Sequence, residues 1–431
     1  MPDTAPIVAA DTAWIMVSTA LVLLMTPALA FFYGGLVRAK NALNTMMMSF
    51  AALGAAGLAW AVAGYSLAFA PGTPWIGGLD YVMLRGVGLE ANGSIPHLLF
   101  MAFQGTFAII TAALISGAVV ERMRFGAYLL FIPLWVIAVY APVCHWVWGG
   151  GWLGALGALD FAGGTVVHVN AGAAALVAAR MLAPRRDWGR QALLPHSVPL
   201  VLLGAGLLWV GWFGFNAGSA LAANEIAALA FVNTFLAPVA AVTAWMLLDY
   251  LTSRNITAVG VATGIVVGLV AVTPAAGFIG PMAALAIGGI AAVPSHWAIR
   301  ARARTGLDDS LDVAAAHGLG GLSGALLTGV FARAVWGGTD GLVAGDATLV
   351  VRQLLAIAAA AAFSGLATWA LLKLVGLMVP LRASERAERT GLDVPMHGEE
   401  AYTSGEGAIL VLPAEPAPAA RHAARTVRSE A

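Results

Sequence analysis

A helix must run for about 20 almost uncharged residues before it can cross the roughly 30 Å hydrocarbon core of a bilayer. This chain supplies such stretches one after another. Apolar windows recur near 13–33, 43–69, 97–120, 125–147, 162–182, 197–219, 226–249, 256–273, 277–299, 309–332 and 350–379. The pattern predicts an all-α polytopic membrane protein with eleven transmembrane helices across residues 1–379, and a polar tail over 380–431. The eighth and ninth windows are separated only by Thr273-Pro274-Ala275-Ala276. Charged residues make up 10% of the chain and hydrophobic ones 60%, whereas a soluble domain carries about 25% charged residues. Only lipid can solvate so much apolar surface.

The loop charges then orient the windows. With the N-terminus outside, the inner loops hold Arg38, Lys40, Arg122, Arg124, Arg180, Arg185, Arg186, Arg190, Arg254, Arg300, Arg302 and Arg304. The outer loops hold Arg85 and Arg333, with Arg352 near the start of the last window. That asymmetry obeys the positive-inside rule. An odd number of spans leaves the C-terminus in the cytoplasm, as expected for a multi-pass protein of the cell inner (plasma) membrane. Residues 1–11 lack Lys and Arg, so the first window is read as a retained span rather than a signal peptide. Cys144 is the one cysteine, which excludes an intramolecular disulfide and a Cys-based metal cluster. No basic patch suggests nucleic acid, and no cofactor is expected. In the tail, residues 380–407 are expected to be ordered, and LPAEPAPAA at 412–420 to be disordered low-complexity sequence.

Two windows contain a histidine deep in apolar sequence: His168 in the fifth and His317 in the tenth. Asp160 precedes His168 by the same spacing as Asp309 precedes His317, and small residues follow both (Ala171 and Gly172; Gly320 and Gly321). Because these helices enter from opposite sides, the match suggests an inverted repeat of spans 1–5 and 6–10, with the eleventh outside the symmetry. At about 1.5 Å of rise per residue, both imidazoles reach the middle of the bilayer. Each could simply be satisfied by a neighbouring helix, but an ionisable side chain is expensive in lipid and so a functional candidate.

Around these residues the sequence resembles the ammonium transporter (Amt/Mep/Rh) family, in its Amt branch. The stretch DFAGGTVVHVNAG at 160–172 is close to the family's signature. FFYGGLVRAKN (31–41), FQGTFAIITAALISGAVVERMRF (103–125), HWVWGGGWL (145–153), GWFGFNAGSAL (211–221) and DDSLDVAAAHGLGG (308–321) are similar in order along the chain, and so is GLDVPMHGEEAY (391–402). The run Ala314-Ala315-Ala316 departs from the family's commoner Phe and Val. The resemblance implies a homotrimer with one pore per subunit. It also implies an outer cation site at Phe107, Trp148 and Ser219, a gate of stacked Phe107 and Phe215, and a pore lined by His168 and His317. Asp160 would support the outer site. A regulatory tail motif that includes Gly391, Asp393, His397, Gly398, Glu399 and Tyr402 would face PII-type signal proteins, or simply pack against the trimer.

The chemistry is coherent with ammonium as substrate. Stripping water from a cation in a low-dielectric pore costs many kcal/mol. An indole face returns about 0.5–2 kcal/mol, and a serine hydroxyl can accept a charge-assisted hydrogen bond. Neither covers full dehydration, so the proton should be lost and neutral ammonia should cross. Neutral imidazoles offer one donor and one acceptor to such a molecule. Ordinary explanations exist for the same residues. Phe107 and Phe215 fit helix packing, Trp148 an interfacial belt, and Asp160 and Asp309 helix caps. Asp312 is expected one turn into the tenth helix and hydrogen-bonded in the bundle, and His97, His145 and His296 at the interface. Alternative functions are an ammonium sensor on the same fold and a Rhesus-type neutral gas channel. An enzyme fits worst, since no nucleophile has a neighbouring base.

Overall fold

The computed structural model describes residues 6–402. Its apolar helices are α1 (Ala9–Leu36), α2 (Ala39–Phe69), α3 (His97–Ser116), α4 (Phe125–Ala155), α5 (Gly164–Leu182), α6 (Val198–Gly218), α7 (Glu225–Ser253), α8 (Ala258–Val272), α9 (Pro281–Arg302), α10 (Ala314–Phe331) and α11 (Thr348–Met378). Ten of them are long and apolar enough to cross a bilayer, and the chain is a multi-pass membrane protein. The exception is α8. It has 15 residues, a rise of about 22 Å, because Pro274 follows it and has no N–H with which to continue the helical ladder. The eighth window therefore yields a shorter helix than the sequence suggested. A two-residue hairpin, Ala91–Asn92 with Ile95–Pro96, precedes α3.

The α10 boundary also differs. Asp312 was expected inside the helix, but it lies before it with φ of 60°, in the left-handed region that no helical residue adopts. The polar run 308–312 thus forms a turn, and α10 starts at Ala314. Both α5 and α10 open with a wide π-helical turn, Gly164–Val169 and Ala314–Leu319, and each turn carries its histidine. Such turns splay backbone carbonyls and cluster at functional positions. The two helices cross at Gly172, where a Cβ would overlap the Cα of Gly318. Only small residues permit so close an approach.

The face that carries the basic loops is tied together by buried ion pairs. Arg185 contacts Glu121 at 2.8 Å and Asp308 at 2.8 Å, and Arg38 meets Glu121 at 2.9 Å. Arg122 is fully buried and donates to Ser310 Oγ at 2.5 Å and to the Asp308 carbonyl at 2.5 Å. Burial alone would raise the Glu121 carboxyl, but Arg185 and Arg38 more than offset it and hold the group below its ordinary range. Asp308 behaves likewise, with Arg185 and Arg122 outweighing burial.

The tail docks on this same face through α12 (Glu385–Thr390) and α13 (Asp393–His397). Asp393 accepts the Leu43 and Asn44 amides at 3.1 and 2.8 Å. His397 reaches Asn44 Oδ1 at 3.1 Å, and the Tyr402 hydroxyl pairs with His196 Nε2 at 2.9 Å. Gly391 has φ of 104° and the Lys40 backbone pressed where a Cβ would lie, so only glycine fits there. Gly398 closes α13 at φ 72°, and Glu399 is exposed. Residues 403–407 and the low-complexity run at 412–420 lie outside the described residues.

Candidate functional site

The site begins with a loop aspartate. Asp160 Oδ1 accepts the Gly163 and Gly164 amides at 2.9 and 2.7 Å, and Oδ2 accepts those of Thr165 and Val166 at 2.8 and 2.9 Å. One carboxylate thereby satisfies the amides at the start of α5, groups that have no partner within the helix. Its charge also suits the positive end of the helix dipole. Gly163 makes the tight entry possible with φ of 117°. The Asp160 carbonyl in turn accepts the Trp148 indole N–H at 2.8 Å. Asp160 therefore sets both the start of the His168 helix and the plane of Trp148.

Trp148 and Ser219 are half-buried. The Ser219 hydroxyl donates to the Phe215 carbonyl at 2.8 Å, so its oxygen lone pairs stay open to a donor. Phe107 stands perpendicular to Trp148 at 5.9 Å between centroids. Phe107 and Phe215 lie 4.3 Å apart and tilted by 33°, both essentially inaccessible to solvent. Together these rings stand between Trp148 and His168.

Below this pair, Phe215 lies over His168 at 6.0 Å and Trp212 over it at 5.5 Å, inclined by 21°. His168 and His317 meet through Nδ1 atoms 3.2 Å apart. The rings line a cavity of about 10 Å³ walled by Leu114, Val167, Leu208 and Val266, room for one molecule the size of water. His168 Nε2 is buried without a hydrogen-bond partner among the described residues. A second cavity, of about 170 Å³, continues from His317 and Ala316 past Thr263 to Asp312 and Arg302 at the basic face.

The structure thus brings together Phe107, Trp148, Ser219 and Phe215 at one level and His168 with His317 at the next. Asp309 accepts the Ala314 amide at 2.7 Å, and Asp312 pairs with Arg302 at 2.5 Å; both are at the start of α10. The three histidines assigned to the interface are instead buried and bonded. His97 holds Tyr65 and Glu90, His145 holds the Ala68 and Thr73 carbonyls, and His296 holds Asp249. Each lies near a span end, where loop partners can reach it.

Trp212 escaped the sequence argument because a tryptophan in an apolar helix is unremarkable. Its indole N–H donates to Thr273 Oγ1 at 2.8 Å, and Thr273 reaches Asn216 Oδ1 at 3.2 Å. Three polar residues meeting in two apolar windows were the available signal.

The close crossing of α5 and α10 makes a prediction. Gly172→Ala should force the histidine helices apart, cost about 1–3 kcal/mol as overpacking does, and lower both the thermal midpoint and solute flux. Gly126→Ala, where a Cβ meets open space, should change neither.

Comparisons place the molecule among known proteins. Residues 13–402 match the Ammonium Transporter Family. An ammonium transporter of Bacillus subtilis is 48% identical, with the match covering 91% of this chain and 98% of the relative. Ammonium transporter Amt1 of Archaeoglobus fulgidus is 44% identical, covering 91% and 99%. Among solved structures, Mep2 of Saccharomyces cerevisiae superposes with a TM-score of 0.83 at 36% identity, covering 88% of each chain. A chain described as Sensor Amt Protein superposes at 0.85 and 29% identity, covering 90% of this chain and 98% of that one.

Proposed function

The chain belongs to the ammonium transporter family, and we propose that it carries ammonium across the plasma membrane, the nitrogen crossing the apolar stretch as ammonia. The cation rests at Trp148 and Ser219, where an indole face and a hydroxyl replace part of its water. The Phe107–Phe215 seal opens only by movement of the rings. Beyond it the walls are apolar, so the charged form is disfavoured and the proton leaves. Ammonia then passes along His168 and His317 to the wider inner cavity. One observation carries this reading: an apolar cavity the size of one small molecule beneath the Phe107–Phe215 pair, walled in part by His168, whose Nε2 has no hydrogen-bond partner among the described residues.

The architecture we infer is eleven spans, counting α8, with spans 1–5 inverted against 6–10. The N-terminus is outside and the C-terminus in the cytoplasm, so Trp148 faces outward. Residues 1–379 are the transport domain and 380–431 the regulatory tail. Apolar side chains exposed on α1, α6 and α7, among them Met16, Leu203 and Phe235, suit lipid and the other copies of a homotrimer. A PII-type signal protein would dock on the cytoplasmic face, beside the basic loops and Glu399.

Proteoliposomes in which current and internal pH are recorded together test the reading. Ammonium, and not potassium, should evoke a signal. Trp148→Leu should raise the half-saturating concentration about 3- to 30-fold, from the cation–π term alone. His168→Ala should cut flux on the order of tenfold or more, because one hydrogen-bonding station is lost. A potassium signal, in current or internal pH, equal to that from ammonium would sink the proposal. A sensor is the second reading, favoured by the likeness to Sensor Amt Protein; it requires ammonium binding with no flux at all.

A further inference from the structure

Among the described residues, the His168 ring has no polar anchor except the other histidine. Its Nδ1 atom meets His317 at 3.2 Å, and its Nε2 atom has no partner. Two rings lie nearly parallel to it, His317 at 5.3 Å and 23°, and Trp212 at 5.5 Å and 21°. An imidazole sits in a broad torsional well about its Cβ–Cγ bond. The plane of His168 is therefore left to the flat faces packed against it.

The indole is in turn held by a buried polar chain. Trp212 Nε1–H donates to Thr273 Oγ1 at 2.8 Å. The Thr273 hydroxyl has one hydrogen and two acceptors in reach, the Leu269 carbonyl at 2.8 Å and Asn216 Oδ1 at 3.2 Å. Asn216 stands one turn beyond Trp212 on α6, and its Nδ2 donates to Thr234 Oγ1 on α7 at 2.9 Å. Thr234 donates to the Ala230 carbonyl at 2.6 Å, and all four side chains are buried. Thr273 closes α8, and the residue after it is clamped to the entry of the His168 helix. The Pro274 carbonyl accepts the Phe161 amide at 3.1 Å, and the proline ring fills the space where Gly164 would carry a Cβ.

Buried polar groups must pair somewhere, and that need alone accounts for Thr234 and Asn216. It does not account for Trp212. A flat apolar wall could be supplied by phenylalanine; indole adds one N–H donor, and that donor is directed at the residue whose neighbour is fixed to α5. We propose that Thr273 is a positioning residue for conduction. Through Trp212 it holds the His168 ring in the plane that keeps Nδ1 directed at His317. The frame of α6, α7 and α8 thereby sets a contact made between α5 and α10. The inference deepens the transport reading above and rests on it.

Ammonium-evoked current from the reconstituted full chain tests it, with the thermal midpoint taken on the same samples. Thr273→Val keeps the shape and removes the hydroxyl. It should lower the maximal current about 3- to 10-fold, the factor one hydrogen bond can carry. The half-saturating concentration should stay at the parent's value, because Trp148 and Ser219 are untouched. Thr273→Ser keeps the hydroxyl and should conduct like the parent. Trp212→Phe leaves no buried donor unpaired, so it carries the test even if Thr273→Val is too unstable to reconstitute. It should show the same loss as Thr273→Val, and the double variant no further loss, as for two residues acting through one contact. The double variant also lacks the stranded indole N–H, so its midpoint should exceed that of Thr273→Val while its current stays low. A hydroxyl needed only for folding predicts instead that current recovers with the midpoint. That recovery overturns the proposal, as does parental current in either single variant or a loss that multiplies in the double. A parent without ammonium current fails the transport reading; a conducting parent with unaffected variants fails this inference alone.

Discussion

Asp160→Ala should leave little or no folded protein. The carboxylate satisfies four backbone amides at the entry to α5. Each buried donor left unpaired costs about 1–3 kcal/mol, so the loss is on the order of 4 kcal/mol or more, at the extreme of single substitutions. Two further effects add to this. The helix loses a negative charge at its positive end, and the loop whose carbonyl fixes Trp148 loses its anchor. Asp160→Asn keeps one acceptor oxygen and should fall between the two. Yield of monodisperse protein in detergent and its thermal midpoint are the measurements. If Asp160→Ala folded with the parent's midpoint and lost only ammonium current, the carboxylate would be acting on the cation rather than on the helix.

The second large effect is expected at the opposite face. Arg185 bridges Glu121, from the loop between α3 and α4, to Asp308, just before α10. Removing one partner of a buried pair costs about 3–5 kcal/mol, because the remaining charge is stranded. Arg185→Ala strands two carboxylates, with Arg38 and Arg122 left to compensate in part. A thermal midpoint lower by on the order of 5–10 °C is expected. Arg185→Lys should rescue little, since an ammonium cannot reproduce the forked geometry. The pH dependence has a definite sign. Glu121 and Asp308 both titrate below their ordinary range in the folded protein. Their stabilisation is therefore present above the unfolded carboxyl values, near 4, and is lost as pH falls through the folded ones. In Arg185→Ala the depression relaxes, and the midpoint at neutral pH should approach that of the acidified parent. A midpoint that falls equally at every pH would argue against the ion-pair account.

The parts of this molecule that could be read from its sequence are those where one residue contradicts its surroundings. His168 and His317 stand out because apolar and small residues flank each of them closely, and their aspartates stand out because each precedes its histidine by the same spacing. Gly172 could be flagged as a small residue near a histidine, although its partner Gly318 only emerges once α5 and α10 cross. Trp212 could not be distinguished from the other tryptophans, because its role depends on which face of α6 meets His168. Glu121 and Asp308 were overlooked for a related cause: loop charge predicts orientation, but says nothing of which carboxylate neutralises which arginine. The short α8 and the displaced Asp312 reflect backbone chemistry, a proline and a left-handed turn, that hydropathy averages away.

The 3.2 Å between the two Nδ1 atoms leaves room for a single hydrogen. If His317 lends it, its own Nε2 is bare and that of His168 bears the other hydrogen; if His168 lends it, the arrangement reverses. The pair therefore has a sense, like a pointer with two settings, and any passage that draws on the bridging hydrogen must restore it before the next.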